Sequence, residues 1–306
     1  MSERAARFRA MMGTSLNGLV AAGRAECIAT GLRWGEGPAY VEAWDAWVFS
    51  DIPNNRMLSW SRRQGLVTFR SPSNFANGNS VSADGALLTC EHGSRSVVRT
   101  EKNGACQVLC SEFDGRRLNS PNDLVEHPDG SVWFSDPTYG ILSNVEGYRA
   151  PSEQSANRVY RRDARTGELS AQVSALRQPN GLCFSPDHRT LYVADSGADM
   201  GPDVPFDENG PREVHAFALL DGRVASAGRV FARASKGVPD GIRCDDDGYL
   251  WVCTGLGLEC FDPQGRLVGV IETPETASNL CFGGADGTSL LIALASSAYI
   301  VSIETH

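Results

Sequence analysis

The sequence predicts an all-β fold, a six-bladed β-propeller of four-stranded antiparallel blades around a central channel, and three observations carry that prediction. Six segments, opening with Glu36, Asn79, Asn122, Asn180, Asp240 and Asn279, repeat one pattern: a polar oxygen-bearing residue, an apolar stretch, a tight Asp/Gly-type turn and a second apolar stretch. The openings lie 43, 43, 58, 60 and 39 residues apart, and periods of about 40 to 45 residues mark propeller blades. The apolar runs are short, alternate with period two or are apolar throughout, and are bounded by Gly, Pro, Asp and Asn, as strands are. Only residues 3–12 carry a weak helical pattern.

Taken along the chain, residues 1–24 read as an N-terminal extension and 25–306 as a single propeller domain. Residues 26–30 precede the first unit and are free to supply the outer strand that the last unit, ending at 299–303, lacks; the ring then closes on itself and leaves only short sheet edges. Unit one runs from Glu36 to Trp47-Val48-Phe49-Ser50-Asp51, and unit two from Asn79 through Asp84-Gly85. Unit three is the clearest, Asn122-Asp123-Leu124-Val125, then Pro128-Asp129-Gly130, then Val132-Trp133-Phe134-Ser135-Asp136. Units four and five repeat it from Asn180-Gly181 to Tyr192-Val193-Ala194-Asp195 and from Asp240-Gly241 to Tyr249-Leu250-Trp251-Val252; unit six has Asn279 with Asp286-Gly287.

Composition narrows the partners. Thirty-seven acidic against 28 basic residues give a net charge of −9, and no Lys/Arg run is longer than a pair, which argues against nucleic acid or an anionic membrane. No apolar run reaches a membrane span, and Thr14, Ser15 and Asn17 interrupt 10–22 as a signal-peptide core. The nine cysteines form no CxxC pair, and several fall inside predicted strands, so a reducing cytoplasm is expected ahead of the periplasm. A monomer or homodimer is expected.

In a propeller the inner strands run in one direction, so the six openings converge beside the axis on one face. They comprise two carboxylates and four carboxamides, an all-oxygen donor set suited to one hard divalent cation. Ca²⁺ leads, Mg²⁺ and Mn²⁺ compete, and Zn²⁺, which more usually draws His or Cys, comes last. Any one Asn or Asp here is also an ordinary turn residue; Glu36, flanked by Gly35 and Gly37, is not a favoured turn former. The loops that overhang this face, 136–158 and 195–212, hold the extra length of units three and four and read as lids. The second strands end in Asp51, Glu91, Asp136 and Asp195, supports for the rim, with His92 beside Glu91 as a candidate proton shuttle or substrate contact. Asp245-Asp246-Asp247-Gly248 lacks the spacing of an EF-hand and reads as a hairpin turn.

Gly35-Glu36-Gly37-Pro38, Asn119-Ser120-Pro121-Asn122-Asp123, Gln178-Pro179-Asn180-Gly181 and Val238-Pro239-Asp240-Gly241 together resemble the senescence-marker-protein/gluconolactonase/luciferin-regenerating-enzyme (regucalcin-like) family, in its bacterial gluconolactonase-like branch, over roughly residues 30–300. The resemblance implies a metal-dependent hydrolysis of a small sugar lactone to its aldonic acid. It further implies Glu36, Asn180 and Asp240 as metal ligands, Asn122 as fourth ligand or substrate contact, and Asp240 as general base. Ser120 stands where animal members carry a sugar-contacting Arg; with His92 and Asp136 it completes the candidate substrate-binding set. A phosphotriesterase, a lactonase for non-sugar lactones, or a calcium-binding propeller without catalysis are the alternatives.

Overall fold

The computed structural model describes residues 2–201, 204–224 and 226–303; residues 202 and 203 of the second long loop, and the last three of the expected domain, lie outside them. Six antiparallel four-stranded blades follow one another in chain order. Blade 1 is Gly35–Val41, Ala46–Asp51, Arg56–Ser61 and Gly65–Arg70; blade 2 is Ala76–Val81, Leu87–Glu91, Ser96–Thr100 and Cys106–Cys110. Blade 3 is Leu124–Glu126, Val132–Asp136, Arg158–Arg162 and Leu169–Val173, and blade 4 is Pro179–Phe184, Thr190–Asp195, Glu213–Leu220 and Arg229–Arg233. Blade 5 is Ile242–Cys244, Leu250–Thr254, Gly257–Phe261 and Leu267–Glu272; blade 6 is Ala277–Gly283, Ser289–Leu294 and Ser297–Ser302. The fourth strand of blade 6 is Ala25–Thr30, paired antiparallel to Ser297–Ser302 with Ala25 opposite Val301, so the chain's beginning closes the ring as the sequence predicts.

The turn that reverses each inner strand has a residue in the left-handed region, Asp45, Gly85, Gly130, His188, Gly248 or Gly287 for blades 1 to 6, with Gly284 as a second one in blade 6. That is why the repeat places Gly, Asp or a neighbour of Asp there. Apolar side chains form one cluster at each blade interface, for example Trp133 with Leu182 between blades 3 and 4 and Val48 with Leu87 between blades 1 and 2. Burying a side chain of this size stabilises by about 1.5–3 kcal/mol, and it is spread evenly around the ring, which keeps the channel geometry fixed.

The extension packs against two blades. Helix Glu3–Arg9 is capped by Ser2 and buries Phe8 against Phe282 of blade 6 and, with Met11, over Trp251 of blade 5. Thr14–Ser15 then pairs parallel with Ile271 and Glu272, a fifth strand outside blade 5, and Leu16–Ala21 forms a second short helix. Among the described residues no helix is long and apolar enough to cross a membrane, and all nine cysteines are free.

Candidate active site

Equivalent entry residues of the inner strands can be read from how one blade meets the next. The Gly78 N–H donates to Asn122 O at 2.8 Å and the Gly241 N–H to Ser278 O at 2.7 Å. A Cβ on Gly37 would meet Asn77 O at 2.2 Å, one on Gly78 Asn122 O at 2.5 Å, and one on Gly181 Asp240 O at 2.3 Å. The equivalent residues are therefore Glu36, Asn77, Asn122, Asn180, Asp240 and Ser278.

This corrects the sequence reading at two of six positions: blade 2 enters with Asn77 rather than Asn79, and blade 6 with Ser278 rather than Asn279. Each of these entries offers two polar residues, Asn77 and Asn79 in blade 2 and Ser278 and Asn279 in blade 6, and the register shift found there, an irregularity of the β-bulge kind, also occurs at the entries of blades 1 and 4. Asn79 is spent internally, donating from Nδ2 to Gly37 O at 2.8 Å and accepting from Thr89 Oγ1 at 2.7 Å. Asn279 donates to Glu36 Oε2 at 2.9 Å and accepts from Leu280 N at 2.8 Å.

Over this rim opens a cavity of about 510 Å³ whose wall includes Glu36, Asn77, Asn122, Asn180 and Asp240. Glu36 Oε2 accepts from Gly37 N at 2.7 Å as well as from Asn279. Burial, and then the nearby Asp123 charge, pushes the Glu36 carboxyl up to about 8. Asp240 is pushed well above the usual carboxylate range by burial first and by the Glu36 charge second. One layer deeper, Asp123 stands where four other blades have glycine, and there Arg243 Nη1 is 3.3 Å from its Oδ2 and donates also to Ile242 O at 2.8 Å. No Lys, Arg or His lines the cavity among the described residues. Glu36 and Asp240 thus face open space with no cationic side chain in the cavity wall; Arg243, committed to Asp123, offsets the Glu36 charge only as the last of its influences.

Ser120, His92 and Asp136 stand behind the wall. Ser120 is buried, donating from Oγ to Pro137 O at 2.7 Å and accepting from Gly140 N at 3.0 Å, so it fastens the start of the first lid. Asp136 accepts from Asn119 N at 2.8 Å, as Asp51 does from Arg33 N at 3.0 Å and Asp195 from Gln178 N at 2.9 Å. These acids hold the segment leading into an inner strand, the rim support that the repeat suggested. His92 is buried between Asn77 and the lid, and burial depresses its imidazole to about 4.

Both long loops form the roof. The first contains a one-turn helix, Tyr139–Leu142, and contributes Tyr139 and Glu146 to the wall; the second contributes Ser196, Asp199 and Phe206. They touch through Tyr139, whose hydroxyl donates to Asp199 O at 2.9 Å. Burial pushes Glu146 up to about 7, with Asp199 reinforcing it. Neither Glu146 nor Tyr139 was legible as a wall residue, because a loop outside the repeat carries no register. Asn77 had a signal: Asn77-Gly78 repeats the dipeptides Asn180-Gly181 and Asp240-Gly241.

The donor set fits a hard divalent cation: two uncompensated carboxylates and two carboxamide oxygens, on four blades, around one opening. Comparison with known proteins agrees with this architecture. A gluconolactonase of Zymomonas mobilis is 31% identical over 299 residues, 92% of this chain and 81% of that one. A regucalcin of Danio rerio is 33% identical over 271 residues, 87% of this chain and 83% of that one. The solved structure of a gluconolactonase from Xanthomonas campestris superposes with a TM-score of 0.83 at 35% identity, covering 92% of each chain. Residues 34–296 match the model of the SMP-30/Gluconolactonase/LRE-like region. The chain belongs to the SMP-30/gluconolactonase/LRE-like family.

Proposed function

We propose that the protein hydrolyses a sugar lactone of the gluconolactone type to its aldonic acid, with one divalent cation held by Glu36, Asn180 and Asp240 and with Asn122 as fourth ligand or substrate contact. The observation that carries this reading is the pair Glu36 and Asp240, two carboxylates raised by burial at an open cavity with no cationic side chain in its described wall. The gluconolactonase relatives at 31% and 35% identity supply the substrate class. Ca²⁺ is the first choice by donor chemistry, with Mg²⁺, Mn²⁺ and Zn²⁺ behind it.

When bound, such a cation supplies Lewis-acid polarisation of the lactone carbonyl and a more acidic water. The chain supplies the rest. Asp240 takes the proton from the attacking water at its carboxylate oxygen, the role a carboxylate base must fill where the cation acidifies water only weakly. Glu36 stays fixed by the amides of Gly37 and Asn279 and contributes charge rather than proton transfer. Asn122 orients the ring. Ser120, Asp136 and His92 act on substrate through the wall they hold, and the two lids exclude bulk water from the carbonyl.

Trp34, Ile52 and Phe206 give the cavity an apolar side, which favours a non-sugar lactone or a phosphotriester as the competing reading. One experiment separates them: protein stripped of metal, re-supplied with Ca²⁺, Mg²⁺, Mn²⁺ or Zn²⁺ in turn, and followed by proton release on hydroxylated lactones, plain lactones and an aryl phosphotriester. Cation-dependent release with preference for hydroxylated lactones supports the proposal; turnover confined to phosphotriesters or plain lactones, or none with any metal, overturns it.

A further inference from the structure

Asn77 belongs to the ring of entry residues, is 3% exposed, lines the cavity, and its Oδ1 has no hydrogen-bond partner. An unsatisfied buried carbonyl costs about 1–3 kcal/mol, so its orientation needs a cause. The cause lies on the other side of the amide. His92 Nδ1 is 2.9 Å from Glu146 O, an atom that only accepts, so Nδ1 carries the ring proton. The buried imidazole is neutral, which leaves Nε2 bare; Asn77 Nδ2, 3.1 Å away, must be the donor to it. The carboxamide therefore cannot turn over, and Oδ1 is held as an unpaired acceptor in a residue of the cavity wall.

The surrounding backbone is equally committed. Asn77 O accepts from Ser50 Oγ at 2.6 Å, and a Cβ on Gly140 would strike the His92 ring at 2.5 Å, so the first lid packs directly on the histidine. In a six-membered ring blade 2 lies opposite blade 5, so Asn77 faces Asp240 across the axis, between the blades that carry Glu36 and Asn122. A hydrogen-bond donor satisfies Oδ1, and a lactone bearing ring hydroxyls brings one.

We infer that Asn77 is a specificity-determining residue whose Oδ1 accepts a hydrogen bond from a substrate hydroxyl, and that His92 is the positioning residue that fixes this acceptor and ties it to the lid at Glu146. The inference deepens the sugar-lactone reading and rests on it. A site built to bond a hydroxyl discriminates against analogues that lack it, because its polar group is then left unpaired.

The test compares kcat/KM for glucono-1,5-lactone with that for unhydroxylated δ-valerolactone in the cation-loaded full-length protein. Asn77→Ala is expected to lower the ratio of the two by about tenfold, the loss of one neutral hydrogen bond, and His92→Phe to lower it in the same direction by less. Ca²⁺ affinity of Asn77→Ala, by calorimetry, is expected within about threefold of wild type. ¹⁵N NMR of the wild-type protein, which needs no variant to fold, is expected to show His92 protonated at Nδ1 and bare at Nε2. A ratio that survives Asn77→Ala, a larger loss of Ca²⁺ affinity marking Asn77 as a cation ligand, or a proton at His92 Nε2 each overturns the inference while leaving lactone hydrolysis standing. Wild-type protein that hydrolyses neither lactone overturns the sugar-lactone reading and this inference with it.

Discussion

The inner strand of blade 5, Ile242–Cys244, has Asp240 two residues before its start and Asp245 one residue past its end, so one strand sets a carboxylate on each face of the propeller. At the Asp245 end the charge is fully answered. Arg9 Nη1 is 2.6 Å from Asp245 and its Nη2 2.6 Å from Asp247, its guanidinium lies over the Tyr249 ring at 4.0 Å, and Asp247 is held below the usual carboxylate range, first by that Arg9 bond. At the Asp240 end the nearby Arg243 is committed to Asp123, no cationic side chain among the described residues lines the cavity, and burial raises both Asp240 and Glu36. The contrast separates a structural carboxylate from a poised one: where the chain supplies the counter-charge the site is closed, and where it withholds it the site awaits a ligand. An acidic triplet that superficially resembles a calcium loop is the closed case, and a Glu and an Asp 204 positions apart in sequence are the open one.

The largest expected effect is at the open end. Asp240→Asn keeps an oxygen donor but cannot accept a proton, and loss of a general base typically removes about 10²- to 10⁴-fold in rate. Turnover at saturating cation should fall by that much while cation occupancy, measured by metal analysis, falls far less; Glu36→Gln should do the reverse. Near-wild-type turnover of Asp240→Asn at saturating cation would reduce Asp240 to a ligand.

Next comes the pH dependence of the cation's effect on stability. Glu36 has an ordinary value of 4.5 and is pushed up to about 8 in the fold, so between those limits the folded chain binds more protons than the unfolded one. Without cation, this group's contribution to stability is therefore present at low pH and is lost as pH rises toward about 8. A cation competes with the proton for the same carboxylate and adds RT ln(1 + [L]/Kd) to the folded state. The difference in melting temperature between Ca²⁺-loaded and chelated protein should widen from pH 5.5 to pH 8.5. A difference that stays constant over that range would mean that Glu36 is not at the cation.

At the closed end, Arg9→Met retains the apolar stem but leaves Asp245 and Asp247 without their counter-ion. Breaking such a part-buried network costs about 3 kcal/mol, to be read from denaturant unfolding, with kcat/KM per folded molecule unchanged. An equal loss of turnover would show that the two ends of blade 5 are coupled.

These regions were legible to different degrees. The propeller was read in full because its strands, turns and closing strand each repeat a local signal, and Glu36, Asn122, Asn180 and Asp240 followed because they keep the repeat's register. Asn77 was lost because blade 2 offers two asparagines two residues apart, and no apolar pattern records which of them enters the strand. Glu146 and Tyr139 were lost because lid residues have no repeat to be aligned with. The turn at Asp245 was recognised, yet its partner Arg9 lies 236 residues away, in an extension whose docking depends on Phe8 and Met11 finding the groove between blades 5 and 6. Local chemistry was readable; pairings made by packing were not.

The smallest effect sharpens the comparison within the acidic turn itself. Arg4 Nη2 reaches Asp246 at 2.5 Å, as close as Arg9 comes to its partners, but the side chains are 43% and 55% exposed against 13% for Arg9 and 4% for Asp245. Water already solvates both charges there, and ordering two exposed side chains consumes most of the Coulombic gain, so such pairs contribute about 0 to 1 kcal/mol. Arg4→Ala should change unfolding free energy by less than about 0.5 kcal/mol and lose even that in high salt. The same salt should barely alter the cost of Arg9→Met, because a part-buried pair is poorly screened. Equal costs for the two substitutions would show that proximity alone, rather than withdrawal from water, sets what a counter-charge is worth in this protein, and the distinction between its two kinds of carboxylate would fail with it.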